Sequence, residues 1–134
     1  MSEKTASAAL RIFTPKSDLN FLSEALLVSP TEIHLVDTPI SAHNPTGPKH
    51  AESLWIYESP IESHRCLSDH IEAVIEPIES NTQGFRTVKD GISSVQVFCM
   101  FSSENGQGSI EISPHLLGRL AALKVEIIID LYLA

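Results

Sequence analysis

The sequence predicts an α+β domain in which a largely antiparallel sheet of about six strands carries two to three helices on one face. Three observations indicate this class: stretches of strand length that alternate apolar and polar residues, segments of helical period, and two tight connections between successive strands. The expected order is β-α-β-β-α-β-β-α-β. A chain of 134 residues with 43% hydrophobic residues suits one domain over residues 1–134, built around a single core.

Strand and helix patterns alternate at the start of the chain. Alternating apolar residues predict a strand over about Ser7–Phe13. Ser17 or Asp18 is then expected to cap a helix that runs through about Leu27. Ile33–Val36 is a short strand candidate.

A segment without periodicity follows at about 38–51, where three prolines and Gly47 break regular structure. A loop of this length inside a compact domain is typical of a functional or mobile segment. The next strand is predicted over Ser53–Glu58. Its alternation places Trp55 and Tyr57 on one face.

The next predicted helix covers about Arg65–Glu79. Leu67, Ile71, Val74 and Ile78 recur every three or four residues, which is the helical period. Proline at position 77 is expected to fray or kink the last turn. A loose helix over Asn81–Lys89 is the natural continuation.

The last third of the chain predicts two strands, a helix and a final strand. Ser93–Ser102 is followed by Asn105-Gly106, a hairpin sequence, so Ser109–Ile112 is expected to return as a strand. Ser113-Pro114 is typical of a helix start, with serine as N-cap and proline at the first helical position. Val125–Leu133 alternates as the last strand.

The net charge is −8, and the sequence pI is about 5.1. This balance argues against a nucleic-acid-binding protein, which needs clustered lysine and arginine. The charge is concentrated, because Glu52–Glu79 holds seven acidic residues and one basic residue, Arg65. Four of those carboxylates fall opposite the apolar stripe of the predicted helix: Asp69, Glu72, Glu76 and Glu79. Such a face fits either a docking site for a basic partner or a solvated surface.

Several segments together resemble a known bacterial family. They are Ser53-Leu54-Trp55, Leu67-Ser68-Asp69-His70-Ile71, the stretch from Ile110 to Leu123, and Ile127-Ile128-Ile129-Asp130-Leu131-Tyr132. In these residues the chain resembles domain of unknown function 4279 over nearly its whole length. The resemblance implies an α+β architecture and a bacterial origin, and it supplies no catalytic residues. Lys124 stands where a glycine often follows this helix in similar sequences.

Two arrangements with chemical potential compete with a binding role. Cys66 and His70 are four residues apart and could share a helix face as a nucleophile and its base. His64 could join them in a zinc site with His43 or His50, although the spacing matches no standard zinc arrangement. The usual hydrolase, metalloprotease, redox and phosphate-binding motifs are absent from the sequence. We therefore expect no enzyme activity, no cofactor and no metal.

The sheet face away from the helices is a second candidate surface. If the helices cover one face, the other presents an apolar patch that would fit a partner or a second copy of the chain. The alternative is that loops or residues 81–89 cover it. The residues predicted for this patch are Phe13, Trp55, Tyr57, Phe98, Met100, Ile128 and Tyr132.

These observations predict a non-enzymatic protein-binding module, most concretely an immunity-type antagonist that neutralises a basic bacterial toxin or effector domain. The alternatives are a homo-oligomeric structural or sensory module and a small Cys/His enzyme or metal protein. The N-terminus does not have the pattern of a signal peptide, so a cytoplasmic location is expected, with neither membrane nor nucleic acid as partner. The predicted partner-binding residues are Glu52, Trp55, Tyr57, Glu58, Glu62, Asp69, Glu72, Glu76 and Glu79.

Overall fold

The computed structural model describes residues 3–133 and has an α+β fold, as the sequence predicted. A mixed, mostly antiparallel sheet of five strands has the order β2-β3-β1-β4-β5, and only the β4–β5 pair is parallel. Within these residues the elements are β1 (Lys4–Thr14), α1 (Asn20–Leu26), β2 (Glu32–His34), β3 (Ser53–Glu58), α2 (Leu67–Ser80), α3 (Thr82–Val88) with a 3₁₀ turn (Lys89–Gly91), β4 (Ser94–Ser103), α4 (Pro114–Leu123) and β5 (Glu126–Leu133).

Strand β1 lies at the centre of the sheet. It pairs antiparallel with β3, with Ile12 opposite Trp55, and with β4, with Ile12 opposite Val95. Its even-numbered residues from Ala6 to Thr14 are buried, whereas its odd-numbered residues are only partly buried or exposed. The buried set faces the helices and forms the floor of the core.

Helix α2 supplies much of the rest of the core. Its predicted apolar stripe is confirmed, because Leu67, Ile71, Val74 and Ile78 are all buried in the main cluster. The helix runs through Pro77 to Ser80 without a break. The Asn81 side-chain amide donates to the Pro77 carbonyl at 2.8 Å and to the Leu26 carbonyl at 3.1 Å, which ties the end of α2 to α1.

The sequence prediction of six strands is wrong by one, because Ser109–Ile112 forms no strand. The position beside β4 is occupied by β5, which runs parallel to it after the α4 crossover. The 109–112 segment lies instead beside the start of α2, where the Ser68 hydroxyl donates to the Glu111 carbonyl at 2.5 Å. Apolar alternation at Ile110 and Ile112 therefore reflects half-buried packing rather than a ladder.

The predicted start of α4 is confirmed. The Ser113 hydroxyl accepts from the Leu116 backbone N–H at 3.1 Å, and Pro114 occupies the first turn. At its other end Lys124 adopts a left-handed backbone with φ 56°. Glycine is favoured at this position of a helix end because it has no Cβ to clash.

The proline-rich segment is an ordered arm. The Ile40 N–H donates to the Pro48 carbonyl and the His50 N–H donates to the Thr38 carbonyl, each at 2.9 Å. His50 also packs against His34 of β2, with ring centroids 5.0 Å apart. The arm therefore extends the antiparallel β2–β3 pair past the ends of the two strands.

The expected membership of the second sheet face needs correction. Trp55 and Tyr57 pair with Ile12 and Leu10 and so lie on the helix-covered face. Leu54 and Ile56 lie on the opposite face. The alternation along β3 shows which residues share a face, but it does not show which face the helices cover. The helices pack on the face that carries Trp55, so Trp55 lies in the core.

Candidate functional site

The carboxylates of α2 meet a cation that the sequence pattern did not indicate. Arg119 of α4 contacts Glu72 Oε1 through Nη1 at 2.8 Å and binds Glu79 through Nε at 3.0 Å and Nη2 at 2.7 Å. Hydrogen bonding to Glu79, before all other causes, raises the pKa of Arg119 above its ordinary value. Arg119 therefore neutralises part of this acidic face.

The remaining α2 carboxylates also have contacts within the chain. Asp69 Oδ2 accepts from Arg65, with an Nη2 distance of 3.0 Å, as an i,i+4 pair. Glu76 accepts from the Ser80 hydroxyl. The outer face of α2 is therefore a network of satisfied side chains rather than a row of free charges.

The other predicted acidic residues are dispersed. Glu62 contacts the exposed His64 at 3.2 Å, and Glu52 accepts from the Ser93 hydroxyl. Glu58 ends β3 and lies on the sheet face opposite α2. The predicted binding residues therefore do not form one continuous surface.

Trp55 cannot contact a partner in this fold. Its side chain is 0% exposed, and its indole Nε1 donates to the Ser23 hydroxyl of α1 at 3.2 Å. Tyr57 stacks beside it, with ring centroids 6.4 Å apart, and is partly buried. Both were predicted as binding residues, and Trp55 is instead part of the core.

We call the sheet face away from the helices the open face. Residues that pair on neighbouring strands form rows of side chains across this face. One row crosses all five strands in the order Glu32, Ile56, Arg11, Gln96 and Glu126. Ile56 is 6% exposed between Glu32 and Arg11. At the β5 end, Gln96 Nε2 donates to Glu126 Oε1 at 2.9 Å.

Arg11 lies in the middle of the open face. Its guanidinium carbon is 3.9 Å from the centroid of the Phe98 ring, a cation–π contact. Its Nε is buried without a hydrogen-bond partner. None of the ion pairs among residues 3–133 involves it. Arg11 therefore retains hydrogen-bonding capacity on this surface.

Apolar side chains surround Arg11, and carboxylates lie around them. Of the predicted patch, Phe13, Phe98, Met100, Ile128 and Tyr132 do lie on the open face. Met100 and Tyr132 are the most exposed of these, at 39% and 52%. The acidic side chains of this face are Glu32, Glu58, Asp130 and Glu126.

Three of these carboxylates were missed by the sequence reasoning. Glu32 lies in β2, and Glu126 and Asp130 lie four positions apart in β5, so no dense local cluster marks them. The strand order β2-β3-β1-β4-β5 brings them onto one face with Glu58. The alternation within each strand shows which of its residues share a face. It could not show that these carboxylates share one face of the sheet until the pairing of the strands was known.

The Cys66–His70 pair is not assembled as a catalytic dyad. His70 is buried, and its Nδ1 lies 2.7 Å from the Ser59 hydroxyl, whereas Cys66 is exposed. Burial lowers the pKa of His70 below its ordinary value of 6.5. Within residues 3–133 no three His, Cys, Asp or Glu side chains are grouped to hold a metal ion.

A groove of about 740 Å³ lies between the start of α2 and the 109–112 segment. Its lining holds the cations Lys4 and Arg65 together with the carboxylates of Asp69, Glu72 and Glu111. Cys66 lies at its edge. The charge of this groove therefore does not select a ligand of either sign.

Comparison with known proteins finds one family. A family model described as "Domain of unknown function (DUF4279)" matches residues 3–134. No curated protein and no solved structure matches the chain. Across residues 3–133 the helices are too short or too polar to cross a bilayer.

Proposed function

Because the chain belongs to the DUF4279 family, whose description states no activity, we propose a function from its own surfaces: it is a protein-binding module whose open face docks a basic partner. The most concrete form of this proposal is an immunity-type antagonist that covers the basic active site of a bacterial toxin. Binding rather than catalysis would be its activity.

The supporting observation is the composition of the open face. Partly exposed apolar side chains such as Met100 and Tyr132 lie beside four carboxylates, and Arg11 is the cation among the strand residues of this face. Interfaces commonly combine an apolar centre with a polar rim. A negative surface also speeds the approach of a positive partner and disfavours acidic competitors.

The outer face of α2 supports docking less well than the open face. Arg119 and Arg65 already engage Glu72, Glu79 and Asp69. A partner cation would have to displace one of these arginines, which lowers the net gain from each new pair. On the open face, Glu32, Glu126 and Asp130 are contacted by His34, Gln96 and Tyr132 rather than by an arginine. The Glu58 backbone N–H donates to the Thr31 hydroxyl at 2.9 Å, while no ion pair to the Glu58 carboxylate is found in residues 3–133.

Arg11 would act as an anchor within such an interface. Arginine is enriched among the interface residues that dominate binding energy. Its Nε lacks a partner, and its guanidinium carbon already lies over the Phe98 ring. A partner backbone carbonyl or carboxylate could accept from the Nη groups of this guanidinium, which make no hydrogen bond within residues 3–133, whereas the buried Nε is out of reach.

The test is direct binding between this protein and the purified product of the adjacent gene. Titration calorimetry would compare wild type with Glu58→Lys, which reverses a charge on the open face. The matched control is Glu76→Lys, an exposed charge reversal on α2. We expect Glu58→Lys to weaken binding by about 10-fold or more and Glu76→Lys to change it by less than about threefold.

Salt dependence gives a second readout in the same experiment. Raising NaCl from about 0.05 M to about 0.3 M is expected to weaken binding and slow association, because exposed charges are screened over a shorter distance. Absence of binding, or affinity that ignores both salt and Glu58→Lys, contradicts the proposal. Loss of binding in Glu76→Lys alone would move the site to α2.

A further inference from the structure

The two edges of the sheet differ in a way that points to a second interaction surface. Strand β2 forms one edge and is three residues long, Glu32–His34, with a charged residue at its start. Strand β5 forms the other edge and has eight residues, EIIIDLYL. One whole side of β5 therefore presents backbone N–H and C=O groups that no described strand pairs.

Natural proteins usually protect such an edge with charged side chains, above all lysine, or with proline, a bulge or a very short strand. The charged side chains of β5 are two carboxylates, Glu126 and Asp130. The sequence of β5 contains no lysine, arginine or proline, and its pairing with β4 is regular from Gln96–Glu126 to Ser103–Leu133. The β2 edge is short and the β5 edge is neither short nor blocked. A long, unblocked edge is typical of a strand that pairs with another chain.

Exposed apolar side chains accompany the open backbone edge on both faces of the sheet. On the helix side, Ile129 is 38% exposed and Leu131 is 51% exposed. On the open face, Tyr132 is 52% exposed. Helix α4 buries Leu116 and Leu120 in the core but leaves these β5 residues uncovered. An added strand would cover them while satisfying the backbone groups.

The β5 sequence is complementary to itself in one register. In an antiparallel pair, directly opposed side chains point to the same face of the sheet. A two-fold axis perpendicular to the sheet must therefore pass between one residue and the same residue of the second copy, which lie directly opposite each other. With the axis at Ile129, Asp130 lies opposite Ile128 and Glu126 lies opposite Tyr132. All seven residues from Glu126 to Tyr132 then pair, and no two carboxylates are opposed.

The neighbouring registers are less favourable. An axis at Asp130 places that carboxylate directly opposite its own copy. An axis at Ile128 places Glu126 opposite Asp130. Like charges directly opposed across an antiparallel pair are destabilising. Larger shifts in either direction shorten the paired segment. The acidic residues therefore select the Ile129 register.

We propose that β5 pairs antiparallel with β5 of a second copy of this chain, with Ile129 on the two-fold axis. The product is a continuous ten-stranded sheet, twice the five strands of one chain. Because the axis is perpendicular to the sheet, the helices of both copies lie on one side and both open faces lie on the other. This proposal goes beyond partner docking and is independent of it.

The test is the mass in solution of the wild-type chain and of paired charge variants. Sedimentation and light scattering of wild type are expected to give twice the 14.7 kDa of one chain. Ile129→Lys and Ile129→Glu each place like charges on the axis, so each alone is expected to raise the dimer dissociation constant by at least about 10-fold. An equimolar mixture of the two variants is expected to restore the dimer as a heterodimer.

The matched control is Leu117→Lys, a charge introduced at an apolar side chain of α4 that is 52% exposed and away from β5. This variant should remain dimeric. Restoration in the mixture also establishes that both Ile129 variants fold.

A monomeric wild type up to about 100 µM overturns the proposal. So does a mixture that stays monomeric, or dimer loss in Leu117→Lys equal to that in Ile129→Lys. Charge reversal at Glu58 should leave the dimer intact, which separates this result from failure of partner docking.

Discussion

Arg119 of α4 holds Glu79 of α2 through two nitrogen atoms, with Nε–Oε2 at 3.0 Å and Nη2–Oε1 at 2.7 Å. Paired N–H donors that meet both oxygens of a carboxylate give the strongest form of this interaction. Both side chains are less than a third exposed. The pair fastens the later turns of α2 to a helix that follows it by 40 positions in the sequence.

Replacing Arg119 with leucine is expected to lower the free energy of unfolding by about 1 kcal/mol, because Glu72 and Glu79 lose their shared cation and repel each other. Urea unfolding followed by circular dichroism measures the change. The control is Arg65→Leu, which removes the more exposed Arg65–Asp69 pair and should cost less than about 0.5 kcal/mol. Equal losses in the two variants would show that the geometry at Arg119 gives no advantage.

Trp55 is expected to be shielded from water in the native protein. It is the one tryptophan of the chain and is 0% exposed, so its emission reports on this site alone. Acrylamide should quench the native emission far less than the emission of the urea-unfolded chain. Quenching of equal strength in the native and unfolded states would contradict the burial of the Trp55 side chain.

The hydrogen bond from Trp55 to Ser23 predicts a second effect. Ser23→Ala leaves the indole N–H without its acceptor and is expected to lower the free energy of unfolding by about 1 kcal/mol. Ser29→Ala, at an exposed serine just after α1, is the control and should have almost no effect. Thermal unfolding of both variants measures the difference, and equal midpoints would remove the role assigned to Ser23.

His70 is expected to make stability depend on pH. Burial lowers the pKa of His70 in the folded protein below its ordinary value of 6.5, so the unfolded chain binds a proton more readily. The corresponding contribution to stability is present above pH 6.5 and is lost as the pH falls through the folded pKa. Acidification from about pH 7.5 to about pH 5.5 should therefore lower the free energy of unfolding.

The variant that tests this is His70→Gln, which cannot titrate. Its urea midpoint should fall less than that of wild type over the same pH interval, whatever its absolute stability. His43→Gln, at an exposed histidine of the proline-rich arm, is the control and should keep the wild-type pH dependence. If His70→Gln retains the full wild-type slope, another group is responsible.

Lys124 is expected to be a site of stabilisation. Its left-handed backbone, φ 56°, costs a residue with a Cβ about 1 kcal/mol relative to glycine. Lys124→Gly should therefore raise the free energy of unfolding by about 0.5–1 kcal/mol. Lys124→Ala removes the same charge and keeps the Cβ, so it should give no such gain. A gain of equal size in both variants would assign the effect to charge instead of backbone conformation.

The sequence predicted correctly those elements that depend on interactions between residues close together in the chain. The Ser113-Pro114 start of α4 follows from a side-chain oxygen and a missing N–H, and the structure has both. The four-residue apolar stripe of α2 follows from helical period and is buried as expected. The position of glycine in similar sequences also pointed to Lys124, where the backbone turns left-handed.

Long-range pairing could not be predicted in the same way. Arg119 and Glu79 lie on different helices, and only the packing of α4 against α2 brings them together. Ile110 and Ile112 alternate like a strand, but β5 takes the place beside β4 that they would need. The faces of β3 were assigned wrongly for the same reason, since alternation cannot tell which side the helices cover.

The central position of β1 has a consequence for how the chain folds. The two strands that flank β1 in the sheet, β3 and β4, are synthesised much later than β1. Ile12, for example, pairs with Trp55 and with Val95. Such distant contacts require large loops to close before they stabilise anything, which slows folding relative to a domain whose contacts are local. During synthesis β1 is therefore made before either of its partner strands, and both of its edges stay unpaired until β3 and β4 have followed.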